Sequence, residues 1–200
     1  MDISMIVPCY NVAPYIKNLL LSFHMLNLKD ISYEILFVIE DTNNDNVKEV
    51  IEQYMNDMNY SFLTSNGGTV GLARNTGLEA AQGDYIWFID ADDWIINPEV
   101  LQYTINEFHR SNLNIIQIGF VSNFFNMKHY SMVWQYIFKK SFFDLNVKFN
   151  SEKHYEDNDF MQKCFKKLGT YSIATLNVPC YYYNYERPGS LMYNLRRGIE

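Results

Sequence analysis

In the first ninety residues, short β-branched and aromatic runs alternate with amphipathic stretches, and that rhythm leaves few folds open. Residues 3–7 are followed by an amphipathic 14–26, residues 33–39 by 45–58, and residues 60–64 by 70–81; residues 85–89 then open a fourth unit. Residues 85–89 are a nearly continuous apolar run, as expected for a strand in the middle of a parallel sheet covered by helices on both faces. The predicted architecture is α/β, a Rossmann-like, mostly parallel central sheet flanked by helices. Asn, Asp, Gly and Pro gather at 8–14, 41–46, 66–71 and 90–98, so each strand ends in a polar loop on the same edge of the sheet. Open α/β sheets bind ligands at that edge.

Beyond residue 97 the pattern loosens. It predicts a helix over 99–110, a strand over 114–120, an aromatic-rich middle, a helix over 157–167 and β-like residues 171–185. Neither 1–97 nor 98–200 carries a convincing core alone, so the two read as halves of one domain spanning 1–200. Sixteen Lys and Arg against 23 Asp and Glu leave a net charge of −7, and such a surface repels phosphate backbones; nucleic acid is not an expected partner. No stretch approaches the roughly 20 apolar residues of a membrane span, and Met1-Asp2 does not open a secretory signal, which points to a cytoplasmic protein. Cys9, Cys164 and Cys180 share no close spacing, against both a disulfide framework and a zinc site.

The segment richest in chemistry is Tyr85-Ile86-Trp87-Phe88-Ile89-Asp90-Ala91-Asp92-Asp93, an apolar strand that ends in three carboxylates within four positions. Like charges this close repel unless a cation or several donors sit among them, and hard Mg²⁺ and Mn²⁺ ions prefer carboxylate oxygen. Mg²⁺ takes one or two protein carboxylates and completes its shell with phosphates and water, so the implied ligand is a metal-bridged diphosphate. The plainer alternative is a solvated turn or helix cap, and a bare Asp-x-Asp does not decide between them.

Its neighbours in sequence do more. Ser4-Met5-Ile6-Val7-Pro8-Cys9-Tyr10-Asn11, Glu40-Asp41, Asn66-Gly67-Gly68-Thr69-Val70-Gly71-Leu72-Ala73-Arg74-Asn75-Thr76-Gly77 and Asp90-Ala91-Asp92-Asp93 follow one another in order, with Tyr155-Glu156-Asp157-Asn158-Asp159-Phe160 and Tyr185-Glu186-Arg187-Pro188-Gly189-Ser190 further on. In this order they resemble the signatures of GT-A fold, family 2 glycosyltransferases. The resemblance covers about the whole chain. It implies an inverting transferase that moves a sugar from a nucleotide diphosphate sugar, a UDP-sugar by preference, to a saccharide or lipid-linked acceptor in cell-surface or exopolysaccharide assembly. Two hundred residues is short for that family, which leaves room for acceptor-binding helices beyond Glu200.

The resemblance also distributes roles. Pro8 and Tyr10 lie against the nucleobase, Asp41 accepts the uracil imide, and Gly68 and Arg74 sit near the nucleotide. Asp90 is placed by the ribose and the metal's water shell, with Ala91 among the donor contacts, and Asp92 on the Mn²⁺ or Mg²⁺ ion. Asp93 caps or supports. Asp157 is the general base, Glu156 assists it, and Asp159 is the chemical rival in the same run. Arg187 and Ser190 belong to a late loop that closes over the diphosphate. One departure stands out: the family commonly shows Asp-Asp-Gly-Ser where this chain has Glu40-Asp41-Thr42-Asn43. The four histidines have no metal spacing, and His154 is the one worth testing beside the base. Lys139-Lys140 and Lys166-Lys167 beside Phe138, Phe142, Phe143 and Phe165 read as a solvated face before they read as a peripheral membrane contact. Competing assignments are a nucleotidyltransferase-like metal-diphosphate enzyme, for which the first loop lacks a lysine, and a non-catalytic nucleotide-sugar-binding module.

Overall fold

A computed structural model describes residues 1–123, 132–143, 147–151, 156–168, 173–185, 187–188, 190, 193–194 and 197–198. The N-terminal half realises the predicted alternation: β1 (Ile3–Cys9), α1 (Lys17–His24), β2 (Tyr33–Glu40), α2 (Val47–Tyr54), β3 (Tyr60–Ser65), α3 (Val70–Ala80) and β4 (Tyr85–Phe88). Then follow β5 (Trp94–Ile95), α4 (Val100–Arg110), β6 (Ile115–Ser122), β7 (Tyr136–Lys139), α5 (Glu156–Leu168) and β8 (Ile173–Tyr183). Among the described residues the eight strands join one sheet in the order β3-β2-β1-β4-β7-β6-β8-β5. The first four are parallel, β7 runs antiparallel to both β4 and β6, β8 is parallel to β6, and β5 is antiparallel to β8.

Alternation along the strands feeds two apolar layers. Met5, Val7, Phe37 and Trp87 pack with α1 residues Leu19, Leu20 and Phe23 and α4 residues Leu101 and Phe108 on one face. Ile6, Leu36, Val38 and Phe88 pack with Ala73 and Leu78 of α3 and Phe160, Met161 and Cys164 of α5 on the other. α3 lies so close to the sheet that a Cβ at Gly77 would collide with Ile6. Strand order reverses between β1 and β4, so the chain leaves those two strands in diverging directions and opens a crevice at their carboxyl ends.

Three expectations change here. Pro8 lies within β1, paired with Val38, and does not belong to the turn that follows. Ile6, two residues earlier, bonds toward β4 through Ile89 N–H, so the donor that Pro8 lacks would point to the same flank, where β4 has already ended. The aromatic-rich middle contains β7, a four-residue strand set between short 3₁₀ turns at Val133–Gln135 and Lys140–Phe142, too brief for a period-two signal to register. Finally, β4 stops at Phe88 and residues 90–93 form a turn closed by the Asp93 N–H on the Asp90 carbonyl at 3.1 Å. Asp90 and Asp92 therefore belong to this turn and not to the end of the strand. Among the described residues no helix is long and apolar enough to cross a membrane.

Candidate active site

The acid turn is held from below by β8. Asp93 is fully buried and accepts hydrogen bonds from the Tyr181 hydroxyl and the Asn184 N–H, both at 2.8 Å. Burial, with Asp92 and Asp90 close by, pushes its carboxyl well above the ordinary range. The Tyr181 oxygen also accepts the Asp90 N–H at 3.1 Å, and Asn184 Nδ2 donates to the Asp92 carbonyl at 3.3 Å. Asp93 is thus a strut that caps no helix, and it leaves Asp90 and Asp92 partly exposed at the crevice, their side chains 26% and 18% accessible. Ala91, expected among the donor contacts, packs its side chain into the core.

Arg74 enters from the first turns of α3, its side chain only 3% accessible. Thr69 caps that helix by accepting the Leu72 N–H. The Arg74 guanidinium meets three carboxylates: Nη2 donates to Asp90 Oδ1 at 2.8 Å, and Nη1 donates to Glu156 Oε1 at 2.8 Å and to Asp157 Oδ1 at 2.5 Å. One cation among three acids, Glu156 buried and Asp90 and Asp157 partly so, leaves an excess of negative charge. Burial raises the Asp157 carboxyl to about 7, with Arg74 pulling it down and Glu156 and Asp90 pushing it up. Burial raises Asp90 as well, against the pull of Arg74. The second Asp157 oxygen accepts the Val133 N–H at 3.1 Å. Asp159 stands elsewhere, paired with Lys163 at 2.6 Å one helical turn along, both about 40% exposed.

Two loops border this cluster on the β1–β2 side. Tyr10 is 54% exposed at the end of β1. Asn11, at φ 51°, donates its N–H to Asn43 Oδ1 at 2.8 Å, and Ala13 N–H donates to Asp45 Oδ2 at 2.7 Å. Asn43 and Asp45 tie the first loop to the second; neither stood out in the sequence, where only a departure from the Gly-Ser pattern marked the place. Asp41 is exposed beside them, with its N–H on the Ser65 carbonyl at 3.0 Å. Gly68 donates its N–H to Glu40 Oε2 at 2.9 Å.

Arg187 arrives after β8 and donates Nε to Asp92 Oδ2 at 2.5 Å, its guanidinium carbon 4.6 Å from the ring centre of Tyr15. The Tyr15 hydroxyl donates to the Pro188 carbonyl at 3.2 Å, a contact with no signal in the sequence. The Ser190 hydroxyl accepts the Tyr193 N–H at 3.2 Å. Glu186, Gly189, Tyr155, His129 and His154 lie outside the described residues. The lysine patch is largely committed: Lys140 and Lys167 direct their ammonium groups to the Ala81 and Phe142 carbonyls, and Phe138 and Phe142 are buried.

A divalent ion suits the donors present. Asp90 and Asp92 each commit one oxygen to an arginine, and the other oxygen of each makes no hydrogen bond among the described residues. No group of three or more His, Cys, Asp or Glu side chains there forms a protein-only metal site. Two carboxylates match an ion that draws the rest of its shell from phosphate and water. A cavity of about 370 Å³ between α1 and β5, lined by Leu21, Met25, Trp94 and Ile96 among others, carries no ionisable group; the chemistry belongs to the acid cluster.

The family model of glycosyl transferase family 2 matches residues 4–171, which takes in Arg74, the acid turn and the start of α5 but not Tyr181, Asn184 or Arg187. The chain belongs to glycosyl transferase family 2. Its sequence is 30% identical over 216 residues to the poly(ribitol-phosphate) beta-N-acetylglucosaminyltransferase TarS of Staphylococcus aureus, covering 96% of this chain and 37% of TarS. It is 26% identical to the uncharacterized glycosyltransferase EpsJ of Bacillus subtilis, covering 94% of this chain and 62% of EpsJ. In fold it matches TarS 1–349 in complex with UDP-GlcNAc with a TM-score of 0.85 at 24% identity, over 96% of this chain and 60% of that one. The mannosyltransferase PcManGT of Pyrobaculum calidifontis, in complex with GDP-Man and Mn²⁺, gives 0.77 at 16% identity over 98% and 60%. The GT-A architecture is shared throughout. This family 2 chain spans less than two thirds of each of these relatives.

Proposed function

We propose that this chain carries the donor site and the catalytic base of an inverting glycosyltransferase that uses a UDP-sugar and serves cell-surface or exopolysaccharide synthesis. The observation that carries the reading is the Arg74 hub, which joins an acid of the β4 turn to two acids of α5 around one guanidinium. In this reading residues 1–97 seat the nucleotide, with Pro8, Tyr10, Asp41 and Gly68 around the base and ribose, and residues 98–200 supply the acceptor side. TarS has been solved with UDP and with UDP-GlcNAc, which supports uridine as the base.

Transfer breaks the bond from the anomeric carbon to the diphosphate oxygen, which leaves with the electron pair, while the acceptor oxygen bonds to that carbon from the opposite face. The acceptor's proton goes to Asp157, whose carboxyl, raised to about 7, suits a base working near neutrality. Arg74 and the Val133 N–H hold both Asp157 oxygens in place, so the base is oriented before the acceptor arrives. Glu156 shares the Arg74 charge and keeps Asp157 from being over-stabilised as the anion. Asp90 and Asp92 would hold Mg²⁺ or Mn²⁺, which supplies positive charge to the leaving diphosphate. Arg187, next to Asp92, and Ser190 would reach the same phosphates; a saccharide or lipid-linked saccharide is the acceptor.

A thermal-shift series with UDP, GDP and UDP-GlcNAc, with and without Mn²⁺, tests the reading together with an assay of UDP release. Stabilisation by UDP that grows with Mn²⁺, and UDP release from a UDP-sugar, are the expected results. Indifference to every nucleotide diphosphate at millimolar concentration would overturn it.

A further inference from the structure

Glu40 ends β2 with its side chain buried, yet it takes no part in the chemistry above. Oε2 accepts the Gly68 N–H at 2.9 Å, whereas Oε1 is buried and makes no hydrogen bond among the described residues. Its register partner across β2 and β3 is Ser65, whose buried hydroxyl is likewise without a partner there. The Ser65 carbonyl accepts the Asp41 N–H at 3.0 Å. The chain from 65 to 68, leaving β3 for α3, is therefore tied at both ends to the last residue of β2 and the one after it.

Packing reaches only one of the two glycines of this turn: a Cβ at Gly67 would collide with the Leu72 side chain. Gly68 sits at φ +65°, in the left-handed region, and a Cβ built on it meets nothing within 4 Å. With open space beside it, Gly68 is held by the Glu40 bond. A buried carboxylate with a single amide partner is expensive for the fold. Burial pushes the Glu40 carboxyl upward against that bond. Such a group is best explained by the geometry it imposes on its neighbours.

We infer that Glu40 is a positioning residue for the donor: by fixing the Gly67–Gly68 turn against the end of β2 it sets the spacing between that turn and Asp41, and so the fit of the nucleotide. The inference rests on the donor-site reading above. Glu40→Asp withdraws the carboxylate from Gly68 by one methylene, whereas Glu40→Gln keeps an oxygen in reach.

Kinetics of UDP-sugar consumption, with UDP affinity by calorimetry, test this on the full chain. Loss of one such hydrogen bond should raise the donor KM and the UDP Kd of Glu40→Asp about tenfold, with kcat kept within about twofold. Glu40→Gln should restore both constants to near the parent values. Gly68→Ala, strained at this φ, should weaken UDP binding in the same direction and serves if Glu40→Asp does not fold. Parental UDP affinity in Glu40→Asp or in Gly68→Ala defeats the inference, as does an equal loss in Glu40→Gln. A parent chain that binds no UDP removes the donor reading and this inference together; a parent that binds, with variants that bind as well, removes this inference alone.

Discussion

Arg74 Nη1 stands 2.5 Å from Asp157 Oδ1, although 83 positions separate the two residues, and the same guanidinium reaches Asp90 on the β4 turn. The contact couples the acid turn to the start of α5 through a single buried side chain. Its Nη atoms are engaged by three protein carboxylates. Its Nε is buried without a partner among the described residues.

Arg74→Ala leaves three clustered acids without their cation, so destabilisation of about 3 to 5 kcal/mol is expected. Arg74→Lys keeps the charge but not the fork and should recover part of that loss. Urea unfolding at pH 7 measures both.

Turnover should rise with pH through about 7 and level off above it, because the unprotonated Asp157 is the proposed base. Asp157→Asn should lower kcat about 10²- to 10⁴-fold while UDP still binds. A pH–rate profile of UDP release reads the midpoint; a profile with no inflection near neutrality counts against the role.

Stability runs the other way. A carboxyl raised on folding contributes stability that is complete below its unfolded value near 4 and is lost as pH climbs through its folded value of about 7. Asp157→Asn carries no such charge, so at pH 8 it should melt at or above the parent temperature. A clear drop in Tm at pH 8 would mean that the Arg74 pair outweighs the repulsion within the cluster.

Asp92→Asn should abolish the Mn²⁺-dependent part of UDP affinity, with the fold retained, since its carboxylate is partly exposed and its backbone is held separately by Asn184. Calorimetric titration of UDP with and without Mn²⁺ checks it; unchanged metal dependence would move the ion elsewhere.

Tyr181→Phe takes a donor from buried Asp93 and an acceptor from the Asp90 N–H, and should cost about 2 kcal/mol of stability. Because the acid turn then loses its support, UDP affinity with Mn²⁺ should also fall, which a purely distant packing change would not produce.

Much of this was legible in the chain itself. The apolar runs of β1, β2 and β4 and the polar loops after them follow from the local sequence within a few residues, because burial on both faces demands it. β7 was not legible, since four residues carry too little pattern, and neither was the place of Pro8, which depends on where β4 ends.

Sequence alone determined the alternating α/β order, the acidic end of the fourth strand and the family signatures, all of which are properties of neighbouring residues. Tertiary structure decided which charges meet: that Arg74 faces inward to three acids, that Asp93 is a strut under Tyr181, that Arg187 returns to Asp92 across 95 positions. Charge pairing in a buried cluster depends on distances of a few ångström between elements, and spacing along the chain does not carry those distances.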